Sequence, residues 1–392
     1  MFGLKKTFHC KKTRRLTSRT HGGQPFRRTT MKTRLNLFII TALSLAGSVV
    51  NACAGWPEKV FAPYMYVGVG DQFKLTDCDD ACGQKFYTLA FIIADPSNNP
   101  AWDGRTAMAE NFYTNQIAAI RARGGDVIVS FGGEGGQEIA LVETNATALQ
   151  EKYQAVVDRY HFTWLDFDIE GKALEKNAVN ERRNTALARL QAKNPGLIIS
   201  YTLPVDPNGI SDAAQKLLAD AKAKGLKIHS ANVMTMDFGP HFSAGKKMSD
   251  VSIASALKAH EQCNAIDAAI QIGLTPDIGQ NDVKSEIFSL DDAKVLIAWG
   301  KSQPWVGSVS FWCSNRDTGK PGKRRGDWSS GIPQEPWAFT KIFQTFTTLK
   351  SGAPKRAFKM QSAFAMPVSL APGFRCCMSS SRASSTPADW FH

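Results

Sequence analysis

Three carboxylates stand two residues apart in the stretch FTWLDFDIEG, residues 162–171: Asp166, Asp168 and Glu170. The residues around them are Phe, Trp, Leu, Phe and Ile, the composition of a buried strand. In a strand, side chains at i, i+2 and i+4 share a face, so the three acids point one way, successive ones roughly 7 Å apart along the chain. Trp164 shares that face, while Leu165, Phe167 and Ile169 take the other. Carboxylates gathered where water is scarce repel one another and lose hydration, so at least one keeps its proton near neutrality. A carboxylic acid held in that state is a general acid. The competing explanation is a ladder of buried ion pairs, but no strand-like run in the chain offers an inward Lys or Arg to complete it.

The elements that must position such a strand repeat along the chain. Apolar runs at 60–69, 86–94, 126–131, 162–169, 197–203, 228–236, 269–274 and 306–312 alternate with amphipathic helical patterns. Those patterns lie at 111–123, 146–160, 180–193, 212–224, 250–267, 290–301 and 337–349. The runs are apolar on both faces, as strands of a parallel sheet covered by helices are. Eight such β units with intervening helices predict an α/β chain folded as a (β/α)8 TIM barrel, a single catalytic domain over residues 55–350. The alternative is an open doubly wound sheet. Its glycine-rich phosphate turn is missing, because YVGVGDQF after the first run does not open a helix. In a barrel the acidic face looks inward, and Glu170 falls at the carboxyl end of its strand, the end where barrel enzymes keep their active sites.

These residues resemble a family. TWLDFDIEG resembles the D-x-x-D-x-D-x-E signature of glycoside hydrolase family 18, the chitinases and their relatives. SFGG, residues 130–133, resembles the family's S-x-G-G motif at the end of the third run, and MTMDFG, residues 234–239, its M-x-Y-D motif at the end of the sixth. Trp312, in SFWCSNRD at the end of the eighth run, stands where the family has a Trp flooring the sugar site. The resemblance covers residues from roughly 59 to 349, with the motifs in order.

The resemblance implies a secreted chitinase that hydrolyses β-1,4-linked N-acetylglucosamine by a substrate-assisted, retaining mechanism. Glu170 would be the general acid/base. Asp168 would hold the acetamido N–H of the substrate and stabilise an oxazolinium ion, and Asp166 would share a proton with Asp168. No other motif places a carboxylate across the cleft, so the substrate's own acetamide, with its high effective molarity, takes the nucleophile's part. Ser130, Gly132, Gly133, Met234, Asp237 and Trp312 are then substrate-binding candidates. Among the other aromatics, Phe91 and Tyr64 sit at strand ends, and Trp102 in PAWDG either lines an outer subsite or covers the barrel edge. No metal or organic cofactor is implied. The partner is chitin or N-acetylglucosamine oligosaccharides, and the chain is expected as a monomer.

Two departures from the family pattern bear on chemistry. Thr163 replaces the first Asp of the signature, on the face away from the carboxylates. Met236 replaces the Tyr that contacts the acetamido carbonyl, and a thioether donates no hydrogen bond. Gln280 or Asn281, in GQND after the seventh run, is the expected substitute donor, an ordinary turn being the competing reading. Two other functions stay open: an endo-β-N-acetylglucosaminidase acting on N-glycan cores, and a barrel that binds chitin without cutting it. Glu170 argues against the second, since binding alone needs no acid, and Met236 argues for it.

The chain ends carry other signals. The formal charge of the 392 residues is +12, but nine Lys and Arg and no acid fall in residues 1–30, and five more against one acid in 351–392. The body is slightly acidic, which excludes nucleic acid as a partner of the fold. A basic Lys32 and Arg34, an apolar stretch at 35–50 and the small residues Ala52-Cys53-Ala54 read as a secretory signal peptide starting at Met31, too short to be a stable membrane span. VNAC is open to a second reading, a lipoprotein cleavage site with Cys53 lipidated. Residues 1–54 are thus expected to be a basic extension plus signal peptide, and 351–392 a disordered or aberrant tail. In an exported body Cys78, Cys82, Cys263 and Cys313 are expected to form one or two disulfides, with DCDDAC read as a loop.

Overall fold

The computed structural model describes residues 55–68, 73–110, 112–320 and 328–347. Eight parallel strands follow one another: β1 in two segments, Val60–Phe61 and Tyr64–Tyr66; β2, Phe86–Ala94; β3, Asp126–Gly132; β4, Trp164–Asp168. They continue as β5, Ile198–Asp206; β6, Ser230–Met234; β7, Gln271–Thr275; and β8, Val306–Val309. From β2 to β8 each strand pairs with the next in the chain. The sheet closes through β1: Val60 and Phe61 pair with Ser308 and Val309, whereas Tyr64 and Tyr66 pair with Thr88 and Ala90. Between the two segments Ala62 N donates to Val309 O and Thr88 N donates to Pro63 O, so the ladder carries on across the change of partner. The result is the expected barrel, with no edge left among its eight staves.

One main helix follows each strand: α1, Leu75–Cys82; α2, Thr114–Ala122; α3, Ala146–Tyr160; α4, Asn177–Lys193; α5, Asp212–Ala223; α6, Met248–Ile266; α7, Leu290–Ser302; and α8, Ala338–Phe343. Local chemistry starts several of them. The Asn145 side chain accepts from Thr147 N and Ala148 N at the head of α3, Ser211 accepts from Ala214 N at α5, and Ser289 with Asp292 forms a capping box at α7. The barrel-facing side of α3 is buried at helical spacing through Leu149, Tyr153, Val156, Val157 and Tyr160. Each such side chain contributes roughly 1.5–3 kcal/mol on burial. Phe131 of β3 and Phe167 of β4 stack at 5.0 Å, with the Tyr153 ring edge-on to both, which leaves the alternate residues of those strands for the barrel interior.

That interior is polar at the level of β4. Ser130, Asp166, Ser200, Thr202, Asn232 and Thr275 are all buried. Asn232 donates to Thr202 Oγ1 (2.9 Å) and accepts from Thr275 Oγ1 (2.8 Å), which ties β5, β6 and β7 together across the barrel. The space left below is only about 20 Å³, bordered by Trp164, Asp166 and Ser200, so the barrel is a packed core rather than a channel.

Two expectations are corrected. DCDDAC, residues 77–82, read as a loop, lies in helix α1, which brings Cys78 and Cys82 one turn apart. Cys78, Cys82 and Cys263 form no disulfide here; the sulfurs of Cys78 and Cys82 meet at 3.3 Å, too far for a covalent bond, as a thiol contact. Trp102 lines no subsite: it sits in an extra strand, Pro100–Trp102, antiparallel to β2, with its Nε1 donating to Tyr160 Oη at 2.8 Å. The expectations for residues 1–54 and 351–392 lie outside the described residues. Among the described residues no helix is long and apolar enough to cross a membrane.

Candidate active site

Strand β4 sets out its carboxylates at two depths. In the β3–β4–β5 register Asp166 lies opposite Ser130 and Ser200, and Asp168 opposite Gly132 and Thr202. Asp166 is consequently surrounded by hydroxyls. Ser130 Oγ (2.8 Å), Tyr64 Oη (2.9 Å) and Thr202 Oγ1 (3.0 Å) reach Oδ2, and Ser200 Oγ (2.7 Å) reaches Oδ1. Burial raises its pKa, and these hydrogen bonds oppose the rise. Burial, with Asp166 beside it, also holds the Tyr64 phenol well above its ordinary range, so that it stays a donor.

Asp168 has the opposite surroundings. It is 5% exposed, and its Oδ1 has no hydrogen-bond partner. Burial first, then the charges of Glu170 and Asp166, push its pKa well above the carboxylate range. Glu170 follows at the end of the strand, where Ile169 N still donates to Thr202 O and keeps the chain in register (3.0 Å). Its pKa is pushed up to about 7 by burial first, then by the charges of Glu134 and Asp237. A carboxyl that titrates there can both give and take a proton near neutrality.

The two glycines of SFGG are explained by crowding. Gly132 has φ of +103°, and a Cβ on it would overlap the Asp168 carbonyl oxygen. Gly133 has φ of +84°, and a Cβ there would lie 2.6 Å from the Phe91 ring. Its N–H donates to Asp168 O at 3.0 Å. Gly132, Gly133 and Ser130 therefore hold the carboxylate strand and the Phe91 ring in place; among these candidates it is Phe91, not the SFGG residues, that borders the open space.

A cavity of about 1100 Å³ opens at the carboxyl ends of the strands, with Asp168 and Glu170 on its wall. One side is aromatic. Phe91 and Trp312 lie nearly parallel, 12° apart with centroids at 5.7 Å, and Tyr66 and Tyr64 pack against Trp312 at 5.8 and 6.0 Å. Flat apolar rings of this kind are what the faces of sugars stack on. The Ala90–Phe91 and Trp312–Cys313 peptides are cis. Met234, Met236 and Asp237 also border the cavity, as do Glu134, Asp277, Asp282 and Arg316. Arg316 is ion-paired with Asp277, both nearly fully buried.

Gln280 and Asn281 do not border it. Gln280 Nε2 donates to main-chain carbonyls of its own loop, Glu286 O at 2.8 Å among them, and Asn281 Nδ2 to Asp277 O (2.8 Å) and Gly279 O (3.2 Å). Their amides hold a turn together and are not aimed at the cavity. Asp237 Oδ1 accepts from Val283 N at 2.9 Å. Thr163 lies at the far end of the barrel, accepting from Trp56 Nε1 at 3.0 Å. Besides the strand triad, Asp237, expected in the site, and Asp277 and Asp282, which no motif marked, border the same cavity and bring carboxylate oxygens within 4.8 Å of one another.

Several contributors carry little sequence signal. Ser200 and Thr202 alternate with Ile199, Tyr201 and Leu203, a period-2 pattern that marks them as inward. Tyr64, a hundred residues from Asp166, carries no such mark. Behind Gly132 lies a buried network: Arg183 Nη2 donates to Glu138 Oε2 (2.7 Å), Arg183 Nη1 to Asn180 Oδ1 (2.7 Å) and Tyr153 Oη to Glu138 Oε1 (2.9 Å). It fixes the segment after β3 to α3 and α4.

No family model matches the chain. The chain is 32% identical over 314 residues to a probable bifunctional chitinase/lysozyme of Escherichia coli, covering 74% of this chain and 35% of that protein. It is 33% identical over 280 residues to endochitinase 11 of Metarhizium anisopliae, covering 67% of this chain and 53% of that protein. It thus spans about a third to a half of the length of these curated relatives. Among solved structures, the catalytic domain of a hyperthermophilic chitinase from Pyrococcus furiosus matches with a TM-score of 0.68 and 30% identity, over 75% of this chain and 96% of that one. A family GH18 chitinase from Chromobacterium violaceum shares the fold, with a TM-score of 0.52 and 14% identity. With a chitinase catalytic domain matched over nearly its whole length, the chain belongs to glycoside hydrolase family 18.

Proposed function

We propose that this chain is an exported chitinase that cleaves β-1,4-linked N-acetylglucosamine with the help of the substrate's own acetamide. The observation that carries the reading is Asp168 Oδ1: buried, without a partner, beside Glu170 and on the wall of a cavity with an aromatic side. A buried carboxyl oxygen left alone costs free energy unless a bound molecule supplies a donor. An acetamido N–H is such a donor. With that N–H held, the acetamido carbonyl oxygen is turned toward the anomeric carbon. Glu170 delivers its proton to the glycosidic oxygen as the bond breaks, and the carbonyl oxygen closes a five-membered oxazolinium ring. Glu170, now a carboxylate, takes a proton from the water that opens the ring. Asp168 stabilises the positive charge while it lasts, and the hydroxyl-bound Asp166 keeps a negative potential beneath it.

Relatives named as chitinases, and a Pyrococcus furiosus chitinase domain whose mutants were solved with chito-oligosaccharides, support chitin-type sugars as the substrate. The test is incubation with N,N′-diacetylchitobiose and longer oligomers, with product anomers followed by NMR. Initial formation of the β-anomer supports the reading; the α-anomer as first product rules it out. Met236, which borders the cavity where the family's phenol is expected, favours a second reading: binding of chitin oligomers without cleavage. Calorimetric binding with no product over long incubation would establish it. A chitobiose-core glycopeptide in the same assay separates an N-glycan-directed activity from one on chitin.

A further inference from the structure

Glu286 is a buried carboxylate outside the strand triad, 1% exposed, and among the described residues it has no ion-pair partner. Its oxygens meet main chain instead: Phe238 N donates to Oε2 at 3.1 Å and Gly239 N to Oε1 at 2.8 Å. A carboxylate taken out of water costs free energy unless hydrogen-bond donors replace its hydration, and here two N–H groups do so. The donors are consecutive, in the turn that follows β6, where Asp237 has φ of +49° and Gly239 φ of +81°. Successive N–H groups in a turn with left-handed residues converge into a concave anion site. The chain fills this one itself, from the loop of a small hairpin after β7 whose arms are Gly279–Gln280 and Ile287–Phe288.

The turn that Glu286 holds is the one on the cavity wall. Met236 and Asp237 border the cavity, while the next residue, Phe238, is buried in the core. The tie between the two segments is reciprocal. Asp237 Oδ1 accepts from Val283 N at 2.9 Å, and Glu286 N donates to Val283 O at 2.9 Å. Each segment therefore gives a carboxylate to the main chain of the other, and the Asp237 side chain is held on the side of the cavity that it shares with Glu170.

We propose that Glu286 is a positioning residue for the reaction, setting Met236 and Asp237 on the cavity wall through the two N–H groups that follow them. It touches no substrate. The inference rests on the chitinase reading and adds to it a residue that no motif marks. A Gln at this position has the same shape but offers one oxygen and one NH2 group to two N–H donors, so that donor faces donor. The turn then shifts from the hairpin and takes Asp237 with it. Asp237 and Glu134 are the carboxylates whose charges, after burial, raise the pKa of Glu170, and Asp168 is the neighbour on its own strand. An Asp237 carboxylate released into the cavity is screened by water there and raises that pKa less.

The experiment measures kcat/KM for an N-acetylglucosamine pentamer against pH in the wild type, Glu286→Gln, Asp237→Asn and the double variant, with urea midpoints recorded for each. Glu286→Gln should lower kcat/KM by up to about a hundredfold, the scale on which a displacement of about 1 Å is felt. It should also move the alkaline limb to lower pH, the direction in which Asp237→Asn moves it. The double variant should have the limb of Asp237→Asn alone, because Glu286 acts through Asp237. If Glu286→Gln does not fold, Glu286→Asp, which keeps the charge on a shorter arm, is read by the same criteria. An unmoved limb with turnover lost only in step with the urea midpoint would make Glu286 a structural group and overturn the proposal. Limb shifts that add in the double variant would overturn it as well. If the wild type cleaves no pentamer, the hydrolytic reading fails by itself. The pKa of Glu170, followed by NMR of its labelled carboxyl carbon and assigned with Glu170→Gln, then decides this proposal by the same comparison of variants.

Discussion

Asp166 and Asp168 are two residues apart on one face of one strand, and hydroxyl groups meet the first while nothing meets the Oδ1 of the second. The difference comes from the neighbouring strands. Ser130 and Ser200 are in register with Asp166, whereas Asp168 is in register with Gly132, which has no side chain, and with Thr202, whose hydroxyl turns to Asp166. One strand thereby carries a satisfied carboxyl group at its base and an unsatisfied one at its top, next to an acid that titrates near neutrality. The inner one sustains a field; the outer one has free valence for a ligand.

The first expectation concerns pH. Glu170 must carry its proton to act as an acid, and its pKa of about 7 places the alkaline limb of kcat/KM there. Glu134→Gln removes one of the charges that raise this value, so the limb should move to lower pH while the rate on the acid side is unchanged. Glu170→Gln should lose on the order of 10²–10⁴ in rate at every pH. Because the folded pKa lies above the ordinary one, folding takes up a proton between them. The contribution of this group to stability therefore declines as pH rises from the ordinary carboxylate range to about 7 and is flat beyond. A limb that stays in place in Glu134→Gln would remove that residue from the field acting on Glu170.

Gly132→Ala tests the packing of strand ends. The left-handed backbone costs an Ala roughly 1–2 kcal/mol, and the new Cβ must push the Asp168 carbonyl aside. Activity should fall well beyond what the loss of stability explains, because the displaced group is on the carboxylate strand itself. Comparing urea midpoints with turnover of the oligomers separates the two effects; a variant with normal turnover would show that β4 has slack to give.

The barrel was legible because its strands are covered on both faces and read as uninterrupted apolar runs, and Asp166, Asp168 and Glu170 stood out against one of them. Helix α1 was not legible, since LTDCDDAC is short and carries three Asp, and its apolar face is only Leu75, Cys78 and the half-buried Cys82. Nor could sequence say which way an amide turns. Gln280 and Asn281 have the chemistry to contact a sugar, yet loop carbonyls take up their donors. Trp102 beside a turn reads equally well as rim or core, and only the extra strand against β2 decides for the core. The acids that surround Glu170 come from three separate loops, and proximity of that sort leaves no periodic trace.

Arg183 and Glu138 offer a test of stability apart from chemistry. Both are essentially inaccessible, and the guanidinium Nη2 lies 2.7 Å from the carboxylate. Arg183→Met leaves the Glu138 charge buried with Tyr153 as its remaining side-chain donor. The expected cost is about 3–5 kcal/mol, read as a shift of the urea midpoint at constant slope. Arg183→Met combined with Glu138→Gln should recover much of it, because the uncompensated charge is gone. If the double variant is no better than the single one, shape rather than charge is what the pair supplies.

The final expectation separates a substrate nucleophile from a protein one. Asp237, Asp277 and Asp282 border the cavity, so a carboxylate that attacks the sugar directly is a physical alternative to the acetamide. The two routes differ in what the substrate must carry. If the acetamide attacks, fully deacetylated chitosan and cellulose oligomers offer only an amine or a hydroxyl at that carbon, close no oxazolinium ring, and should be inert even where they bind. A thiazoline that mimics the ring should bind far more tightly than the disaccharide, since it resembles the charged intermediate. Asp168→Asn should cut turnover strongly and weaken the thiazoline more than the disaccharide, because Asp168 can give up its proton to face a cation as a carboxylate, which Asn cannot, whereas a neutral amide asks only for a hydrogen-bond acceptor. If instead Asp237→Asn or Asp282→Asn abolishes turnover while Asp168→Asn is mild, and mass spectrometry finds a sugar ester on one of those loop carboxylates, the nucleophile belongs to the protein and the role given to Asp168 is wrong.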